Sequence, residues 1–136
     1  MKTPCLGELF CHIAHHAWEY QDELKMSDAD VQKIMELKIK TKKEHLKNEA
    51  QVECLALDIM AGIWSEKPDV AAIKKLIDAK FELKSAGMKN TVVAFIALKS
   101  MFTKDQMKKL KEICKRQQCG NEMKKSQEKE SPTCHS

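Results

Sequence analysis

The stretch from Ser27 to Ile63 holds no proline and opens S-D-A-D-V-Q-K-I. Ser27 suits a helix N-cap, because its hydroxyl accepts from a free backbone N–H of the first turn. Asp28 and Asp30 place negative charge on the positive end of the helix dipole. As one helix this stretch is a rod of about 55 Å. A second stretch, Asp69–Met101, is nearly as long. Between them Trp64–Asp69 contains Pro68, which cannot continue the first helix and can sit at or just before the start of the next. With 136 residues in all, there is room for one domain built around these two rods and not comfortably for two.

The expected fold is therefore all-α, a long antiparallel helical hairpin with short N- and C-terminal helices. The boundaries fall at about 7–24, 27–63, 69–101 and 103–116, within a single domain of residues 1–118. Residues 119–136 are polar and aperiodic, and are expected to be disordered. Only four glycines and three prolines leave little material for turns, which agrees.

In the N-terminal helix Leu6, Phe10, Ile13, Ala17 and Leu24 form one stripe, and the histidines fall off it. In the long helix Met35, Ile39, Leu46, Ala50, Cys54, Leu57 and Ala61 form the main seam. A second stripe, Val52, Leu55, Ile59 and Ile63, occupies only its C-terminal half, so that half must contact two things. The return helix carries Val70, Ile73, Ile77, Phe81, Met88, Val92, Phe95 and Leu98 on its seam. Cys54 reads as a buried small hydrophobe, and Met35, Met60 and Met88 as core filler on or near packing faces. Gly87 should weaken the return helix by about 1 kcal/mol or mark a kink. Two thin helices cannot shield both sides of their shared seam, so a partner is expected, most simply a second copy about a two-fold axis.

Charged residues make up 32% of the chain, the formal net charge is +4, and aromatics are 5%. This is a mild basic excess on a solvated surface, without the concentrated basic patch and stacking aromatics of a nucleic-acid binder. No apolar run approaches a membrane span, and the N-terminus does not read as a signal peptide. Gly-rich phosphate loops, a nucleophile elbow and H-E-x-x-H are all missing from the sequence, so an enzyme is not expected. Lys40, Lys43 and Lys47 share a face of the polar middle of the long helix, as a solvated face or a client-binding surface.

Thr103 begins a capping box with Gln106, and Asp105 lies in the same first turn. Phe102–Gln106, F-T-K-D-Q, and Met26–Asp30, M-S-D-A-D, thus sit at the two feet of one helix pair. This arrangement over residues 12–116 resembles the Spy/CpxP group of periplasmic stress proteins, with their metal-linked relatives ZraP and CnrX, whose motif is L-T-x-x-Q. Here Phe replaces Leu in the second motif. In the first, Ser replaces Thr and Asp replaces Gln. The resemblance implies a cradle-like homodimer in the periplasm; the missing export signal departs from the family pattern, which a leader replaced by Met1 would explain. It also implies ATP-independent chaperoning of unfolded envelope proteins or signalling through a sensor protein. In the metal-linked branches it implies binding of zinc, nickel or cobalt. The H-x-x-x-H pair of the CnrX-like relatives maps onto His12 and His16. Their remaining ligands would align near Ile39, Ala94 and Leu98, which cannot bind metal, so that full nickel or cobalt site does not carry over.

On the residues alone, C-H-I-A-H-H-A-W-E from Cys11 to Glu19 is the sharpest constellation. His12 and His16 share a helical face and can chelate one ion, with His15, Glu19, Cys11 and Cys5 close in sequence. The expected topology starts the first and last helices near the same end, bringing Cys114 and Cys119, with Cys134 and His135 further on, towards this cluster. Thiolates with imidazoles favour Zn²⁺ or copper(I). The same residues also read as surface histidines and idle thiols, or as Cys5/Cys11 and Cys114/Cys119 disulfides in an oxidising compartment. The functional expectation is a periplasmic metal-binding stress-response, metal-resistance or sensor protein. Its alternatives are a chaperone without a metal role and a cytosolic helical adaptor.

Overall fold

The computed structural model describes residues 5–125, with the backbone alone for 118–125. Five helices follow in order: α1 Leu6–Glu19, α2 Gln21–Leu24, α3 Asp28–Ile63, α4 Val70–Ser100 and α5 Lys104–Lys125. No strand occurs among the described residues. Local chemistry sets the starts of the three long helices. The Asp30 N–H donates to Ser27 Oγ at 3.1 Å, and the Ala72 N–H donates to the Asp69 carboxylate at 3.2 Å. At α5 the capping box is complete: the Gln106 N–H donates to Thr103 Oγ1 at 3.2 Å, and the Thr103 N–H donates to Gln106 Oε1 at 2.9 Å. Caps of this kind contribute about 1 kcal/mol each.

Two boundaries differ from expectation. The first helix does not run unbroken from 7 to 24. It ends at Glu19, and the short α2 closes on Lys25, whose φ of 55° is left-handed. The Met26 N–H returns to the Gln21 carbonyl and the Lys25 N–H to the Asp22 carbonyl, the bond pair of a Schellman stop. Lysine occupies the position that glycine usually takes, so composition gave no warning. Burial of Leu24 and Met26 on either side offsets the strain. At the other end α5 continues to Lys125, past the expected stop at Arg116, and the first residues assigned to a tail are helical. Disorder beyond that, at 126–136, lies outside the described residues.

The core gathers where all the helices except the turn-side halves of α3 and α4 meet. Phe10, Ala14 and Ala17 of α1 pack with Leu24, Met26, Val31, Ile34, Leu98, Phe102, Leu110 and Ile113. Phe10, Ile34, Leu98 and Ile113 are fully enclosed. Burying a side chain of this size is worth about 1.5–3 kcal/mol.

Away from this core α3 and α4 have only each other among the described residues, and their contacts progress in opposite directions along the two helices. Gly62 lies against Ile73, and Asn48 lies against Leu83 and Gly87. The faces in contact are not the expected ones. On α3 Val52, Leu55 and Ile59 are half-buried towards the turn, with Asn48, Ala56 and Gly62 beside them, so the second stripe faces α4 except for Ile63, which is exposed. The expected main seam, Ile39, Leu46, Ala50, Cys54, Leu57 and Ala61, is exposed, and only Met35 is half-buried. Cys54 is therefore not a core residue. Met60 and Met88 are likewise exposed rather than core filler. A helix with two apolar stripes can turn only one towards a single neighbour. The stripe ending at Gly62 permits the closer approach, because a Cβ there would lie 3.0 Å from Ile73 Cγ1.

Gly87 also has a role other than a weak point. The Asn48 amide donates to the Leu83 carbonyl at 3.0 Å, and a Cβ on Gly87 would stand 2.6 Å from Asn48 Oδ1. One turn on, buried Thr91 donates to the Gly87 carbonyl at 3.0 Å. The missing side chain makes room for a polar layer that fixes the register of two otherwise slippery helices. Gly87→Ala gains up to about 1 kcal/mol of helix propensity but overpacks the crossing at a cost of about 1–3 kcal/mol. The variant should lose stability in urea denaturation, and Asn48→Ala in the same chain should restore part of it. A single variant that unfolds at higher urea would refute this account.

Candidate functional site

The amphipathic turn spacing of α1 sets Phe10, Ala14 and Ala17 inward, which leaves the histidines on its outer side and flank. His12 and His16 lie side by side with ring centroids 6.3 Å apart, as spacing by four requires. Glu19 Oε2 stands 3.5 Å from His15 Nε2 and 3.9 Å from His16 Nδ1, so one carboxylate serves two imidazoles. His16 is the enclosed member: its side chain is 13% exposed, and its Nδ1 is buried without a hydrogen bond. Burial first, and then the charge of His12, lower its pKa, while Glu19 opposes them. A neutral imidazole is the form that ligates metals.

A second arrangement was not foreseen. An open cleft of about 500 Å³ lies between the start of α1 and the middle of α3. From α1 it is lined by Cys5, Cys11, His12 and His15, and from α3 by His45 and Glu49 among others. His45 and Glu49 were hidden in the lysine-rich middle of α3. Their spacing by four was a usable signal, but only the crossing of α1 over α3 places them beside Cys11 and His12. His45 Nε2 is 3.0 Å from Glu49 Oε1, yet not aligned as a hydrogen bond, and that oxygen is buried without a partner.

The thiols divide by location. Cys5, Cys11, Cys54 and Cys114 are all free. Cys5 and Cys11 share the cleft, whereas Cys54 stands exposed on α3. Cys114 is half-buried on α5, and burial pushes its thiol pKa up, which makes it a poorer ligand at neutral pH. The α5 helix does return to the N-terminal helices, at their far end. The Gln117 amide pairs with the Tyr20 hydroxyl, and Arg116 Nη2 donates to Glu23 at 2.9 Å. His16 reaches this junction through Tyr20, with ring centroids 5.8 Å apart. The Cys119 side chain and residues 134–135 lie outside the described residues. Among the described residues no three His, Cys, Asp or Glu side chains already converge on a point where an ion would sit.

The largest unsatisfied feature is apolar. Along α4, Val70, Ile77, Phe81, Met88 and Val92 are exposed, Phe81 by 59% and Met88 by 66%. They continue the stripe whose far member, Phe95, packs edge-on against Phe10 with centroids 6.1 Å apart. Lys80 and Lys84 flank Phe81, their ammonium groups 6.0 and 5.9 Å from the ring centre. On α3, Ile39, Leu46 and Leu57 are exposed on the side roughly opposite α4. Lys40, Lys43 and Lys47 are exposed beside that stripe. No described helix is long and apolar enough to cross a membrane.

Comparison with protein-family models, with curated proteins and with solved structures finds no match for the chain.

The state of His16 can be tested directly. Its folded pKa lies below its ordinary value of 6.5, so the unfolded chain binds more protons as pH falls through that range. His16 therefore contributes a loss of stability that begins as pH drops below about 6.5 and is complete once pH passes the folded pKa. In NMR titration the His16 ring should titrate below 6.5, and His16→Gln should flatten the pH dependence of the urea midpoint in that window. A His16 ring titrating above 6.5 would contradict the burial described.

Proposed function

We propose that this chain is a non-enzymatic, helical stress-response protein that holds exposed apolar segments of other proteins. The observation that carries this reading is the bare stripe Val70, Ile77, Phe81, Met88 and Val92, lying between flanking lysines and running into the core at Phe95. Monomeric soluble proteins rarely leave so long an apolar strip uncovered without a binding role. Basic residues beside it favour unfolded segments that carry acidic side chains. Periplasmic residence and the cradle-like homodimer rest on the resemblance to the Spy/CpxP group. The second exposed stripe supports the dimer: Ile39, Leu46 and Leu57 lie on the other side of α3, where a second copy leaves the α4 stripe free. A helix of 36 residues, about 54 Å long, gives enough length for a standard interface.

A second reading is favoured by the imidazoles of α1 and concerns metal. His12, His15 and His16 around Glu19 offer a surface chelate for zinc, with copper, nickel and cobalt as competitors. The enclosed, neutral His16 fits that role. In this reading metal occupancy modulates the stress function.

Two pairs of substitutions separate the surfaces. Phe81→Glu with Met88→Glu should reduce suppression of client aggregation several-fold and leave the sedimentation mass unchanged. Leu46→Glu with Leu57→Glu should halve the sedimentation mass. Undiminished suppression by the α4 variant would sink the assignment of that stripe. A wild-type chain that sediments as a monomer would remove the dimer.

A further inference from the structure

The geometry points to a thiolate–imidazole metal site in the cleft between α1 and α3, which takes His12 from the surface chelate and leaves out His16 and Glu19. This inference rests on the metal reading above and changes where the ion is held. The ligands are the N-cap Cys5, Cys11 and His12 of α1, and His45 of α3, all four of which line the same cleft. Two sulfurs and two imidazoles form a set that zinc accepts as a closed tetrahedral site. Each thiol releases its proton to solvent on binding, and the two thiolates then neutralise the charge of one Zn²⁺.

Glu49 supplies the second observation. Metal-bound histidines commonly place their other ring nitrogen against a carboxylate, which fixes the tautomer and the ring orientation. His45 Nε2 already lies 3.0 Å from Glu49 Oε1, and that oxygen is buried without a hydrogen bond. A ring turned to ligate through Nδ1 would align Nε2–H with the waiting oxygen. Loading the site would thus turn the unaligned His45–Glu49 contact into an aligned hydrogen bond.

The donors do not already converge, so they must swing inward. The local structure permits it. Cys5 is the N-cap of α1, with extended backbone; its carbonyl accepts from the Leu9 N–H at 3.1 Å, while its side chain makes no cap bond and is free to turn. Gly7 presents no side chain to His45, whose Cε1 would stand 3.9 Å from a Cβ there. Lys38 and Lys42 in the lining are balanced by Glu8 and Glu49, so the cleft itself is close to neutral and the preference for an ion rests on the two thiols. The site therefore selects a thiophilic ion such as zinc over magnesium or calcium.

The test is a Co²⁺ titration of the full chain under reducing conditions, followed by zinc competition. The wild type should take one Co²⁺ with a thiolate-to-metal charge-transfer band and tetrahedral visible absorption. Cys11→Ser and His45→Ala should abolish the band. Glu49→Gln should weaken binding by about 10–100-fold while keeping it, and His16→Ala should change nothing. Circular dichroism checks that each variant keeps its helicity, and the near-isosteric Cys11→Ser and Glu49→Gln changes decide the matter if His45→Ala does not fold. Binding that survives Cys11→Ser and disappears with His16→Ala overturns this site and leaves the surface chelate standing. Binding that survives every change also overturns it. No binding by the wild type removes both readings.

Discussion

The contact between α3 and α4 sets the terms for the rest of the molecule. Half-buried Val52, Leu55 and Ile59 lie on one side of the seam and half-buried Ile73, Leu76 and Leu83 on the other, and among the described residues neither helix has another neighbour towards the turn. Such a seam buries one stripe of each helix and cannot bury two. Both helices carry a second stripe, spaced by eleven residues: Ile39, Ala50 and Ala61 with Leu46 and Leu57 on α3, and Val70, Phe81 and Val92 with Ile77 and Met88 on α4. That spacing is close to a whole number of turns of an undistorted helix, so the stripes run nearly straight along the rods. The apolar surface left bare is thus built into the pattern.

A thin seam needs something to hold its register, because leucine and isoleucine pack about equally well after a one-turn slip. The layer of Asn48, Gly87 and Thr91 supplies it, with the Asn48 amide reaching a backbone carbonyl across the interface. The same layer lies just beyond the cleft formed with α1, and Thr91 lines that cleft. Register and cleft are consequently linked: sliding α3 by one turn would move His45 away from Cys11 and His12. The core of Phe10, Ile34, Leu98 and Ile113 anchors α1 from the other side. A polar layer and an apolar cluster together determine which histidines and thiols line the cleft.

Helix starts were legible in the chain because a cap is a local matter. Ser27, Asp69 and Thr103 each bond an N–H three residues away, and no distant residue is required. The break after α1 was not legible, because Lys25 in a left-handed conformation is tolerated only with Leu24 and Met26 buried on either side. The choice between two apolar stripes on α3 was also beyond periodicity, since both have helical spacing. The close approach at Gly62 and Asn48 decided it.

By itself the sequence determined an all-helical chain, two long rods joined at Pro68, and three capped helix starts, because these follow from propensity and short-range hydrogen bonding. It also placed His12 and His16 on one helical face, which spacing by four guarantees. Only the tertiary structure decided which stripes are buried, that Cys54, Met60 and Met88 face solvent, and that His45 and Glu49 stand across a cleft from Cys5 and Cys11. Those outcomes depend on how far two helices can approach and at what register, which is set by the absence of side chains at Gly62 and Gly87 as much as by any side chain present.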